Sequence, residues 1–212
     1  VMQAIEHYRV DWTVMVPTMI AMVLNDSRFR PERLESLIDL VYGASPMPAS
    51  LLQRLMATFP DLNMWQGYGM TECSSILTLL TADDHRRGGN LLRSAGRPAM
   101  GVTISVRRAD DSEAAPGENA EICARGGNFM REYWGRAEAT EQAFRNGWYR
   151  TGDEGHVDAR SGPLALVAPN ALDRNPTQTP RSTQFDQRPP IGAMIPSPSA
   201  GSGTRLLPAL AQ

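Results

Sequence analysis

Seven consecutive residues, Gln66-Gly67-Tyr68-Gly69-Met70-Thr71-Glu72, bring together the groups that nucleoside triphosphate chemistry needs. The two glycines let backbone approach a ligand closely. Tyr68 between them offers a flat face for a base. Thr71 has a hydroxyl that can donate to a phosphate oxygen, and Glu72 a hard oxygen ligand of the kind Mg2+ takes. A plain glycine turn, with Tyr68 packed inward and Glu72 in water, would use the same residues, so Gly-Tyr-Gly alone decides nothing. Two further stretches flank the heptad. Val41-Tyr42-Gly43-Ala44-Ser45-Pro46-Met47-Pro48 precedes it, and Asn146-Gly147-Trp148-Tyr149-Arg150-Thr151-Gly152-Asp153 follows. The aspartate at the end of the last stretch could accept from two hydroxyls at once, or simply close a turn after Gly152.

In this order and at this spacing, the three stretches resemble the signature motifs of the adenylate-forming (AMP-binding) superfamily, and within it the acyl-CoA synthetase branch. The likeness runs over about residues 8–158. It implies that Tyr68 stacks on adenine and that Gly43, Ala44 and Ser45 line the other side, with Gly69 beside the nucleotide. It gives Thr71 the α-phosphate, Glu72 the Mg2+ and Asp153 the ribose hydroxyls. It puts Val16, Pro17 and Gly67 near the carboxylate substrate. The implied reaction is ATP-dependent activation of a small-molecule carboxylic acid, fatty or related, with Mg2+, followed by thioester formation with coenzyme A as co-substrate. Loading of a carrier-protein thiol is the enzymatic alternative, and a non-catalytic nucleotide-binding remnant is the alternative of another kind. Two positions depart from the family pattern, Ala120 and Glu132, each standing where glycine is usual. If those turns need φ > 0, a side chain there is poorly tolerated.

The chain has 212 residues, a formal net charge of -2 and 21 basic side chains, every one an arginine. Without lysine there is no G-x-x-x-x-G-K-[ST] phosphate loop. The superfamily's own Ser/Thr/Gly phosphate loop and its C-terminal lysine are absent too. The expectation is therefore an internal piece of a longer enzyme, missing N-terminal and C-terminal parts and inactive alone. Nothing in the charge suggests a nucleic-acid partner. Cys73 and Cys123 have no metal-ligand spacing, consistent with a reduced, cytoplasmic setting. The apolar run 13–24 is too short for a transmembrane segment and contains Pro17. His7, His85 and His156 are scattered and read as surface or packing residues; Arg150 could approach a phosphate, but an exposed arginine is the commoner reading.

The elements that must position these residues follow from periodicity. Residues 12–16, 37–42 and 63–66 read as strands, and Pro17 and Pro48 open helices between them. Strand and helix alternating imply an α/β fold, a parallel sheet with covering helices. Ligands then bind beyond the strands' carboxyl ends, where Gly43 and Tyr68 fall. Beyond position 92 the pattern changes. Residues 102–106, 120–124 and 149–157 read as extended, with turns at Asp110-Asp111 and Pro116-Gly117 and a short helix over 137–144. This predicts a small distorted β-barrel subdomain. The domain reading is 1–92 α/β, 93–167 β, and 168–212 a disordered tail, since most of the 16 prolines lie beyond Ser161. Residues 162–167 could be a last strand, and Asp173-Arg174 mimics the superfamily's hinge dipeptide, though several residues late.

Overall fold

Pro17 fixes φ where a helix needs no N–H donor, and the chain turns there from strand to helix. Strand β1 (Trp12–Met15) leads into helix α2 (Pro17–Asn25), which follows a short helix α1 (Met2–Tyr8). Ile20 and Leu24, four apart, face inward from α2. Strand β2 (Asp39–Gly43) buries alternate residues Leu40 and Tyr42. Pro48 precedes α3 (Ala49–Thr58), which buries Leu52 and Leu55, and Pro60 follows its end. Strand β3 (Asn63–Tyr68) completes the unit. The computed structural model describes residues 1–158 and the backbone of 165–167. The expected tail 168–212, the segment 162–164 and Asp173-Arg174 lie outside the described residues.

Strands β1, β2 and β3 pair in parallel, with Met15 opposite Tyr42, Tyr42 opposite Gln66 and Gly43 opposite Gly67. Beyond these three expected strands the sheet gains two that the periodicity does not announce. Strands β4 (Thr78–Leu80) and β5 (Arg97–Pro98) extend it in the order β1-β2-β3-β4-β5, both antiparallel to their neighbours. The reason is local. After Tyr68 a tight 3-10 turn, Thr71–Cys73, is followed by Ser74 and Ser75 at φ 54° and 92°, and the Leu77 amide donates to the Tyr68 carbonyl at 2.8 Å. The chain folds back beside β3 without a crossover helix, and only an antiparallel return is possible.

Helix α4 (Ala82–Arg87) packs across β2 and β3. Thr81 caps it, accepting from the Asp84 amide at 3.2 Å. Buried Asp84 is held by Thr81 and by Arg97, whose Nη1 reaches both its oxygens at 2.9 and 2.7 Å. His85 is buried beside it. Its Nδ1 lies 2.8 Å from the Thr81 carbonyl, which can only accept, so Nδ1 carries the proton and Nε2 accepts from the Tyr42 hydroxyl at 2.9 Å. Burial pushes the His85 pKa down.

The second sheet is antiparallel: β6 (Val102–Arg107), β7 (Ala120–Gly126) and β9 (Trp148–Asp158), with β10 (Ala165–Val167) on the far edge. Helix α5 (Ala137–Ala143) and the short β8 (Phe144–Arg145) precede β9. A register shift between Glu121 and Cys123 marks a bulge that bends β7. The result is the wall of a distorted half-barrel around Ile104, Val106, Ile122 and Ala124. Neither Ala120 nor Glu132 adopts a left-handed conformation; among the described residues from Gly101 onward φ > 0 falls instead at Gly101, Asp111, Gly117, Gly135, Asn146, Gly147 and Gly152. The two substitutions for glycine therefore cost nothing in backbone strain.

Candidate functional site

The carboxyl ends of β1, β2 and β3 lie side by side and present Val16, Gly43 and Gly67 along one edge. Pro17, next to Val16, is buried. Gly43 is required here by contact rather than by φ: a Cβ on it would fall on the Gly67 carbonyl oxygen. A Cβ on Gly69 would likewise fall on the Ser75 carbonyl. Ala44 follows at φ 63°, turning the chain away from the sheet, and Ala44 and Ser45 are exposed.

Tyr68, the last residue of β3, is half-buried against the second core. Its hydroxyl donates to Asp153 Oδ2 at 2.9 Å. Burial first, and the neighbouring carboxylate second, push the Tyr68 pKa well up, so it stays a neutral donor. Thr71 is exposed at the start of the 3-10 turn. Cys73 pins that turn, its thiol donating to the Met70 carbonyl at 3.1 Å. Glu72 is half-buried, and its Oε1 accepts from the Tyr133 hydroxyl at 2.8 Å. Its own carbonyl accepts from the Met130 amide at 2.7 Å.

The third motif builds a hairpin and an aimed carboxylate. Asn146 and Gly147, at φ 50° and 75°, form the two-residue turn between β8 and β9. That conformation suits the twist of a hairpin and favours Asn-Gly. Trp148 is buried between two guanidinium groups, Arg107 and Arg125, 4.5 and 4.6 Å from its ring centroid. Tyr149 packs against Phe129 and Phe144. Both aromatics thus pack the second sheet. The Arg150 side chain is 13% exposed and bridges Asp111 and Glu121 at 2.7 and 2.8 Å, the opposite of the exposed arginine expected. Two carboxylates on adjacent segments draw it into the sheet. Thr151 donates to the Ile122 carbonyl at 2.7 Å and accepts from the Asp153 amide at 3.1 Å, with Gly152 at φ 74° between them. This turn aims Asp153 at Tyr68.

The structure therefore brings Tyr68 to Asp153, and Gly43 to Gly67, across the gaps in sequence. Glu72 meets Tyr133, which the sequence reading passed over. The only signal near Tyr133 was Glu132 in a glycine position. Among the described residues no group of three or more His, Cys, Asp or Glu could hold a metal ion. Glu72 offers a single carboxylate with Oε1 engaged by Tyr133. One protein carboxylate completed by substrate phosphate oxygens is a common way to hold Mg2+, and this donor set fits it. A depression of about 600 Å3 lies along α1 from Val1 to Tyr8 and touches none of these residues. Among the described residues no helix is long and apolar enough to cross a membrane.

A family model described as AMP-binding enzyme matches residues 1–134. The chain is 36% identical over 158 residues to a feruloyl-CoA synthase of Amycolatopsis sp, covering 74% of this chain and 31% of that enzyme. It is 35% identical over 144 residues to the fatty acid–[acyl-carrier-protein] ligase ScoC of Streptomyces coeruleorubidus, covering 68% of this chain and 28% of that one. Among solved structures, O-succinylbenzoate coenzyme A synthetase (MenE) from Bacillus subtilis, in complex with ATP and magnesium ion, matches with a TM-score of 0.66 at 30% identity, over 79% of this chain and 33% of that chain. The chain spans under a third of the length of the two curated relatives.

Proposed function

The chain belongs to the family of AMP-binding enzymes, and on that premise we propose that it contributes the adenine- and ribose-binding half of an ATP-dependent acid–thiol ligase. The parent reaction has two steps. A carboxylate oxygen of the acid attacks the α-phosphorus of ATP, forming an acyl-adenylate and releasing pyrophosphate. A thiol sulfur, that of coenzyme A, then attacks the acyl carbonyl and releases AMP. In both steps the protein's work is positioning and charge neutralisation.

The observation that carries this reading is the hydrogen bond from Tyr68 to Asp153 at 2.9 Å, spanning 85 residues. It sets an aromatic face beside a carboxylate, the pair that a base and its ribose require. A carboxylate accepts several hydrogen bonds at once, so Asp153 can take ribose hydroxyls while it holds Tyr68. Gly43, Ala44 and Ser45 line the opposite side of the adenine, and Gly69 lets the chain pass close to the nucleotide. Thr71, exposed at the mouth of the turn, donates to the α-phosphate. Glu72 holds Mg2+. That ion, when bound with the nucleotide, offsets the negative charge of the phosphates. Val16, Pro17 and Gly67 border the place of the carboxylate substrate.

The similarity to ScoC, 35% over 144 residues, favours a second reading of the acceptor: a carrier-protein thiol in place of coenzyme A. Supplying the full-length parent with both acceptors separates the two. For the shared first step, the test is thermal unfolding of the 212-residue chain with AMP or Mg-ATP. A ligand at 100 times its Kd stabilises the folded form by about 2.7 kcal/mol. The melting temperature is expected to climb with nucleotide concentration. No shift up to millimolar AMP or Mg-ATP would overturn the proposal.

A further inference from the structure

We infer that Tyr133 is a positioning residue for Glu72, at the head of a clamp that the β7–α5 loop closes over the 71–75 turn. The inference rests on the proposed role of Glu72 in holding Mg2+. The clamp has four points, all reaching from one loop to one turn. The Tyr133 hydroxyl donates to Glu72 Oε1 at 2.8 Å. The Met130 amide donates to the Glu72 carbonyl at 2.7 Å. Asn128 Nδ2 donates to the Cys73 carbonyl at 2.7 Å, and Ser74 Oγ donates to the Asn128 carbonyl at 2.9 Å. Glu72 is thus gripped at both its backbone and its side chain.

The hydroxyl chain has one direction. A carboxylate only accepts, so the Tyr133 proton is committed to Glu72. Tyr149, 3.4 Å from the Tyr133 oxygen, is then the donor into it. Thr140 of α5 sets the loop end, accepting from the Tyr133 amide at 2.9 Å while donating to the Arg136 carbonyl at 3.0 Å. With Oε1 held, Oε2 is the oxygen that would take a cation, and the hydrogen bond restrains the carboxylate from swinging as it would on a mobile side chain. Preorganisation of this kind is how outer partners tune a ligating group. Tyr133 touches neither nucleotide nor metal in this account and acts only through Glu72.

The experiment compares the chain with its Tyr133→Phe variant, which keeps the ring and loses only the hydroxyl. AMP binding needs no divalent ion, whereas binding of the non-hydrolysable α,β-methylene ATP depends on Mg2+. The expected result is an AMP Kd unchanged within about twofold and a half-saturating Mg2+ concentration for the analogue raised about fivefold or more. Amide exchange at Cys73 and Ser74 stays as in the original chain, because Asn128 and Met130 still hold the turn; Asn128→Ala speeds it. Equal weakening of AMP and analogue, or no change in either, overturns the inference while leaving the nucleotide site standing. If the original chain binds neither nucleotide, the proposed function falls and the inference with it.

Discussion

The two sheets contribute to the site by different means. The first sheet and the turn that leaves β3 supply backbone: Gly43 against Gly67 and Gly69 against Ser75, where a single added carbon collides with main chain. The antiparallel sheet and the loop that leaves it supply side chains: Asp153 of β9 and Tyr133 of the β7–α5 loop, each reaching a partner on the heptad through one hydrogen bond. The pairing is reciprocal. The heptad's tyrosine meets the half-barrel's carboxylate, and the heptad's carboxylate meets the tyrosine of the β7–α5 loop. Where a site is made of backbone, it cannot be altered without altering the fold. Where it is made of side chains, function and stability come apart.

The sharpest way to break this contrast is Gly43→Val. The new side chain must displace the Gly67 carbonyl from the β2–β3 ladder, and overpacking of this kind costs about 3 kcal/mol or more. Urea denaturation should show a large loss of stability or no folded protein. Asp153→Ala should do the reverse. It should weaken Mg-ATP binding by about 1.5–3 kcal/mol through the lost charged acceptor and shift the melting temperature little. Equal damage to folding from both variants would erase the distinction between the sheets.

A smaller effect sharpens it through pH. His85 is buried and neutral against Tyr42, and its pKa is pushed below the ordinary 6.5. The unfolded chain then binds its proton more readily than the folded chain. Stability is therefore full above about pH 6.5 and declines as pH falls below it. Asp84, also lowered, contributes stability that is lost only in a more acidic window, below its ordinary 3.8. In His85→Gln the decline just below pH 6.5 should flatten, as denaturation midpoints across pH 5 to 8 would report. An unchanged slope would place the titrating group elsewhere. The smallest effect is expected at Gly152→Ala. The residue has φ 74° but open space around a Cβ, so the cost is the conformational one alone, about 1–2 kcal/mol, well short of that at Gly43.

Much of the parallel sheet was legible. Pro17, Pro48 and Pro60 punctuate it, and Leu51, Leu52 and Leu55 recur at helical spacing, so β1 through β3 fall close to their expected limits. The next segment was not. Strands β4 and β5 have three and two residues, too few for any alternation to register, and the antiparallel return depends on the left-handed Ser74 and Ser75, residues with no special claim to that conformation. The resemblance put Tyr68 and Asp153 on one nucleotide, but no local pattern announced the hydrogen bond between them. Nor was the Tyr133 contact announced, because it depends on how a loop 61 residues downstream lies across the heptad. Arg150 was misread for the same reason. Its partners Asp111 and Glu121 sit on other segments, and no local pattern announces them.

We propose that the heptad, the 43–45 loop and Asp153 enclose one adenine nucleotide. Photolabelling with 8-azido-AMP tests it most directly, with peptide mapping and competition by unmodified AMP. Competable label is expected on peptides containing Tyr68 or the 43–45 loop. Competable label confined to α1 and its depression, with none on those peptides, would contradict it.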